Sequence, residues 1–190
     1  MRKIVVGMHV SLDGFVGGPN GEMNWIKAND EVFTYSDAMT KAADTALYGR
    51  TTFGMMESYW PTAAEQPNAT KHDIAHAAWY KKVDKIVLSK TMQDAALKNT
   101  TVIGENVAEK ISALKQQAGK NIQIFGSPRA VHSLMQANLI DDFWLFVNPV
   151  ILGEGIPFFK VITERIQLKL VSNEALKCGV LVVHYERVLD

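Results

Sequence analysis

Short blocks of apolar residues alternate with longer mixed stretches along almost the whole chain. Ile4-Val5-Val6, Ala46-Leu47-Tyr48, Ile86-Val87-Leu88 and Ile122 with Ile124 and Phe125 have the length and composition of buried strands. The pattern predicts strands near 3–10, 45–49, 84–88, 100–103, 121–125, 142–148, 167–176 and 179–188, with helices near 30–43, 50–57, 72–80, 106–118 and 128–137. Strands that alternate with helices predict a three-layer α/β/α domain around a mostly parallel central sheet of about eight strands. The last two strands, QLKLVSNEAL and GVLVVHYERV, are separated only by Lys177 and Cys178, so they read as an antiparallel C-terminal hairpin. Tyr59 to Asn68, with two prolines, reads as a surface connection. Between Asp142 and Leu152 both faces of the strand are apolar: Phe143, Leu145 and Val147 on one, Trp144 and Phe146 on the other. Such a strand is covered by helices or by a partner, and a homodimer is expected.

Chemistry concentrates where strands end. Ile122 to Gln136, IQIFGSPRAVHSLMQ, reads as a strand, a Gly126-Ser127 turn and a helix with Pro128 in its first turn and Ser127 as its cap. The free N–H groups and the positive dipole end of such a helix favour a phosphate, and in open α/β sheets ligands bind beyond the carboxyl ends of strands. TALYGRTTF places Gly49 at a second strand end, with Arg50, Thr51 and Thr52 in the helix that follows. KIVLSKTM ends a third strand in Ser89, Lys90 and Thr91. The first strand leads into SLDGFVGGPNGEMNW, whose Gly14, Gly17, Gly18 and Gly21, with Gly7 just upstream, predict a mobile loop rather than a core element.

The ordered set SLDG…MNW…YGRTTF…VLSKT…IFGS…LGEGIPFF is similar to the dihydrofolate-reductase-like superfamily, above all to its branch resembling the reductase domain of the riboflavin-biosynthesis deaminase-reductase. The resemblance runs from Lys3 to Val188, a single domain over 1–190, and implies an NADPH-dependent reductase that adds hydride to a carbonyl or imine of a small pyrimidine-, pterin- or sugar-type substrate. It implies that Gly49, Arg50, Thr51 and Thr52 hold the cofactor's phosphates and ribose. Ser89, Lys90 and Thr91 would read the 2′-phosphate, and Gly126 and Ser127, with Arg129 beside them, would face the pyrophosphate and nicotinamide. Here a serine stands where other members have a second glycine. Asp13, Gly153 and Gly155 would line the substrate pocket. Trp25 and Asp30 match a tryptophan on a mobile loop followed five residues later by a catalytic carboxylate; Asp30 also reads as a helix N-cap, which needs no catalytic explanation.

Composition narrows the alternatives. The chain has 190 residues, 47% hydrophobic, and twenty basic residues cancel twenty acidic ones, so no overall field draws in nucleic acid or a membrane surface. No apolar run approaches a membrane span, and MRKIVVGMHVS lacks the features of a signal peptide; a cytoplasmic protein with a small-molecule substrate is expected. One cysteine, Cys178, excludes an internal disulfide or a cysteine zinc cage. His72-Asp73-Ile74-Ala75-His76 imitates a zinc-protease helix, but its acid is too short and no third ligand has an obvious context, so no metal is expected. The H-x-E…P-C-x-x-C deaminase signature is absent. A nucleotide-binding sensor without turnover is the alternative to the enzyme.

Overall fold

The computed structural model describes residues 1–92, 97–160, 162 and 164–188. In chain order its elements are β1 (Ile4–Ser11), β2 (Phe15–Gly17), α1 (Asp30–Lys41), β3 (Ala43–Gly49), α2 (Arg50–Ala63), α3 (Lys71–Tyr80), β4 (Asp84–Leu88), β5 (Thr100–Ile103), α4 (Val107–Gln116), β6 (Asn121–Phe125), α5 (Pro128–Gln136), β7 (Asp142–Asn148), β8 (Ile156–Pro157), β9 (Leu168–Ala175) and β10 (Leu181–Arg187). Eight strands form one sheet in the order β5-β4-β3-β6-β1-β7-β10-β9, and β2 pairs with β8 in a separate two-stranded sheet. Strands β5 through β7 run parallel, and β10 is antiparallel to both β7 and β9, as the sequence predicts.

Two apolar layers cover the sheet. Ile4, Val6, Met8 and Val10 of β1 pack with Ile111 of α4 and Val131, Leu134 and Met135 of α5 on one face. The other face carries Val32 and Met39 of α1, Phe53 of α2 and Tyr80 of α3. Strand β7 is consequently covered within the chain, with Phe143 packed on the α4–α5 side and Phe146 on the α1 side. Its two apolar faces therefore need no partner. Strand β9 differs: it is one edge of the sheet, and seven of its eight residues are exposed.

Three features depart from the predicted boundaries. Helix α2 runs on through Pro61 to Ala63 instead of ending near residue 57. A helix-interior proline costs about 3 kcal/mol, but Ala63 is fully buried and Trp60 stacks on His76 with 3.9 Å between ring centroids, and this packing offsets the lost bond. The glycine-rich segment after β1 contains β2, and Val16 within it is a core residue. The hairpin turn is longer than two residues: Leu176 N–H bonds Val180 O, and Gly179 takes φ +88°.

Candidate functional site

Along the carboxyl edge of the sheet, α2, α4 and α5 begin directly or almost directly from the ends of β3, β5 and β6, and none of the three has a side-chain cap. At α2 the first turn presents exposed Arg50 and Thr51 and half-buried Thr52. Without a capping side chain, the first backbone N–H groups stay available to an anion. Beside it, Ser89 directly follows β4; its Oγ accepts from Thr91 and Met92 N–H at 3.3 and 3.0 Å, forming a tight turn from which Lys90 projects into solvent. Gly104, after β5, lies under this turn so closely that a Cβ would stand 2.9 Å from Ser89 O. The Ser89-Lys90-Thr91 turn and the α4 start are thereby brought together.

At the end of β6 the chain turns through two consecutive left-handed residues, Gly126 at φ +66° and Ser127 at φ +57°. The serine that replaces a glycine thus keeps the backbone geometry a glycine would permit, at a cost of roughly 1–2 kcal/mol. Ser127 stands at the N-cap position of α5, but its side chain does not cap the helix. It is 3% exposed, and its Oγ accepts the Gly49 N–H at 3.0 Å, joining the ends of β3 and β6. The Gly49 amide is thus paired with Ser127, and the Ser127 hydroxyl braces the turn from inside. Arg129 is exposed in the first turn of α5, and the Thr52 methyl carbon would lie 3.6 Å from a Cβ on Gly126.

The other half of the edge is closed by side chains. Asp13 accepts from Ser11 Oγ at 2.6 Å, from Leu152 N–H at 3.1 Å and from Gly153 N–H at 2.7 Å. The Ser11 hydroxyl first, and these amides after it, hold its carboxyl below the usual range. Asp13, Gly153 and Gly155 do come together, as a clamp between the first loop and the late loop. A Cβ on Gly155 would meet Gly17 O at 2.2 Å, so only glycine allows β2 and β8 to pair there. The expected mobile loop is therefore fastened over its first half.

Trp25 is partly exposed and donates Nε1–H to Glu22 O at 2.9 Å. Asp30 is the first residue of α1, not its cap: Asn29 caps the helix, with Oδ1 accepting from Val32 N–H at 3.1 Å. The Asp30 carboxylate is exposed and forms no side-chain hydrogen bond among the described residues. Sequence reasoning missed His9, which lies opposite Phe146 on β7 and stacks on it at 4.9 Å. Asn148 approaches His9 Nδ1 at 3.3 Å while its Oδ1 accepts the Lys27 N–H at 2.9 Å, tying the segment after Trp25 to β7. Desolvation lowers the His9 pKa to about 4, leaving a neutral imidazole near the carboxyl edge. A lone polar residue inside an otherwise apolar strand was the available signal.

The His72/His76 pair is engaged within the fold. His72 Nδ1 meets Asp37 Oδ1 at 2.7 Å and its ring stacks on Phe33, while His76 is enclosed by Trp60, Trp79 and Phe125. No group of three or more His, Cys, Asp or Glu among the described residues is arranged to hold a metal ion. No helix among them is long and apolar enough to cross a membrane.

This edge geometry coincides with a family match. The chain belongs to the RibD C-terminal domain family. The family model matches residues 2–182. The uncharacterized protein YyaP of Bacillus subtilis (strain 168) is 33% identical over 185 residues, covering 97% of this chain and 94% of YyaP. A putative riboflavin biosynthesis protein from Shewanella sp. PV-4 superposes over the full length of both chains with TM-score 0.76 and 20% identity. Dihydrofolate reductase from Enterococcus faecalis, solved with NADP(H), superposes over 97% of this chain and 96% of its own with TM-score 0.62 and 17% identity. The fold is dihydrofolate-reductase-like.

Proposed function

We propose that this protein is an NADPH-dependent reductase that delivers hydride to a carbonyl or imine carbon of a small heterocyclic or sugar-bearing substrate. The observation that carries this reading is the row of three helix starts without side-chain caps along the carboxyl edge, flanked by exposed Arg50, Lys90 and Arg129. The residues fit the cofactor. The α2 and α5 N–H groups suit a diphosphate, and Lys90 with the Ser89 and Thr91 hydroxyls suits a 2′-phosphate. When bound, the nicotinamide supplies the hydride. The chain's part is to orient and to manage protons: Trp25 and the anchored loop shield the reacting centre, His9 offers a hydrogen bond without a charge, and Asp30 orients the substrate or donates a proton. The RibD family relationship favours a pyrimidine-type substrate of the riboflavin pathway, in the cytoplasm.

Titration of wild type and Lys90→Ala with NADPH and NADH tests cofactor choice. Loss of one charge-assisted phosphate contact, about 1.5–3 kcal/mol, weakens NADPH binding about ten- to a hundredfold and leaves NADH nearly unchanged. Equal losses for both remove Lys90 from 2′-phosphate recognition. Tight NADPH binding with no oxidation by any carbonyl or imine substrate favours a sensor over an enzyme.

The same reading includes a homodimer. Its support has moved from β7 to β9, the open edge strand whose Leu170 and Val171 are 47% and 46% exposed, a surface suited to pairing with a second copy. Light scattering at micromolar concentration is expected to give twice the 21.1 kDa chain mass. A particle of one chain mass rules the dimer out.

A further inference from the structure

Strand β1 keeps β6 as a neighbour only as far as Gly7, where Gly126 N–H bonds Gly7 O at 3.2 Å, but it runs on beside β7 to Ser11. Met8 to Ser11 therefore have no sheet strand on the β6 side. They border the region past the carboxyl end of β6, where an α/β sheet binds its ligands. Half-buried His9 stands in this stretch, about 7 Å beyond Gly7 along β1. Its ring lies on Phe146, on the sheet face that carries α1.

The neighbours of His9 set its tautomer. Asn148 is fully buried; its Oδ1 accepts the Lys27 N–H at 2.9 Å and its Nδ2 donates to Phe146 O at 2.9 Å. Turning this amide over would set oxygen against oxygen and N–H against N–H, so only one orientation fits. The remaining Nδ2 hydrogen is then directed at His9 Nδ1, 3.3 Å away. A ring nitrogen that receives a donor presents its lone pair, which leaves the proton of a neutral imidazole on Nε2. Desolvation, which lowers the His9 pKa to about 4, keeps the ring neutral at ordinary pH. Nε2 itself has no hydrogen-bond partner among the described residues, and unlike the two nitrogens of His76 it is not sealed from solvent. The stack on Phe146, at 4.9 Å and 23°, holds the ring plane and with it the direction of the N–H.

We propose that His9 determines specificity at this site: its Nε2–H donates to a neutral carbonyl oxygen of the substrate, of the lactam or ketone class, and Asn148 is the positioning residue that keeps the proton on that nitrogen. The inference rests on the reductase reading and adds to it the chemistry of the substrate's acceptor. A fixed, uncharged donor stabilises an oxygen acceptor without bringing a charge into the site. It disfavours a substrate that presents an N–H or a protonated ring nitrogen at the same place, because two donors would then face each other. Since Asn148 also holds the Lys27 N–H, one buried amide fixes both the donor and the segment that follows Trp25.

Nitrogen–proton correlation NMR of the whole chain with 15N-labelled histidine reads the tautomer before any ligand is added. His9 is expected to show a protonated Nε2 and a bare Nδ1 at pH 7; a proton on Nδ1, or an imidazolium, overturns the proposal. Uracil, a neutral lactam, is then titrated without NADPH and with it. It is expected to shift the His9 Nε2 signal and to bind about three- to tenfold more weakly to His9→Phe, which keeps a flat ring against Phe146 but has no donor. His9→Gln, which restores an uncharged N–H, recovers part of that loss. Uracil binding that is absent from wild type, or equal in wild type and His9→Phe, overturns the proposal. Failure of wild type to bind NADPH counts instead against the reductase reading, while the tautomer and the NADPH-free uracil titration still decide the role of His9. Asn148→Asp is expected to draw the ring proton to Nδ1, and a proton that stays on Nε2 there removes Asn148 as the positioning residue.

Discussion

Helices α1 and α3 begin with side-chain caps, whereas α2, α4 and α5 do not. Asn29 caps α1, and at α3 Thr70 and Asp73 form a reciprocal capping box. A cap of this kind contributes about 1 kcal/mol, so three helices go without an available stabilisation. The division follows location. The uncapped helices start at the carboxyl ends of β3, β5 and β6, where their N–H groups face the cleft. The capped α1 and α3 pack on one sheet face together with α2, through Val32, Met39 and Tyr80 and the Phe33-His72-His76-Trp60 ring cluster, whose Trp60 comes from α2. On the proposed reading, donors at the carboxyl edge are left open to a ligand, while the helices of the wall behind it close their own first turns.

The sharpest way to break this comparison is at Asp30, a polar residue on a capped helix that is nonetheless assigned to chemistry. Because Asn29 performs the capping, Asp30→Asn removes only a favourable first-turn charge, about 0.3–1 kcal/mol of stability. A positioned acid or base contributes about 10²- to 10⁴-fold in rate. Turnover is therefore expected to fall by that factor with the melting temperature almost unmoved. Unchanged turnover would make α1 wholly structural and leave positioning by cofactor, loop and His9 as the source of rate.

The wall behind the cleft has a different liability, to acid. Burial, and secondarily His72, lowers the His76 pKa to about 3 from its ordinary 6.5. Its unfolded state thus binds a proton across that window while the folded state does not, so stability is full above about pH 6.5 and falls as pH drops toward 3. At pH 4 this one histidine withdraws stability on the order of 3 kcal/mol, and His9 acts in the same direction. Neither His76 ring nitrogen has a hydrogen-bond partner, so His76→Phe, which keeps a flat ring against Trp60, is expected to cost little at pH 7 and to flatten the acid limb. Denaturant midpoints from pH 7 to pH 4 measure it. An acid limb as steep as wild type would locate the sensitivity elsewhere.

What the sequence revealed, and what it hid, divides along similar lines. Strands such as Ile86–Leu88 and the helix after Pro128 were legible because run length, the Gly-Ser turn and the proline act locally. Arg50 and Lys90 stood out as basic residues at strand ends. Pairing of β2 with β8 was not legible, because it joins segments about as far apart as Asp13 and Gly153, 140 residues, and glycine signals only freedom, not what the backbone will meet. Nor was the run of α2 through Pro61, which long-range stacking on His76 permits against local propensity. The α1 cap was assigned one residue late, since Asn29 and Asp30 are both good caps and only the backbone decides between them.

The smallest expected effect concerns the turn that serves the uncapped class. Ser127 holds φ +57° and accepts the Gly49 N–H, so two contributions of opposite sign meet in one residue. Replacement by glycine relieves roughly 1–2 kcal/mol of left-handed strain but gives up a hydrogen bond of about 0.5–1.5 kcal/mol, and the net change in stability is expected near zero. Ser127→Ala loses the same bond and keeps the strain, so it should be about 1–2 kcal/mol less stable than Ser127→Gly. Cofactor affinity should follow backbone geometry: retained in the glycine variant, reduced in alanine to the extent that the turn relaxes. Chemical denaturation with NADPH titration of both variants reads these quantities together. Equal stability of the two would mean the left-handed turn carries no strain, and loss of NADPH binding in Ser127→Gly would mean the hydroxyl itself, rather than the turn it braces, meets the cofactor.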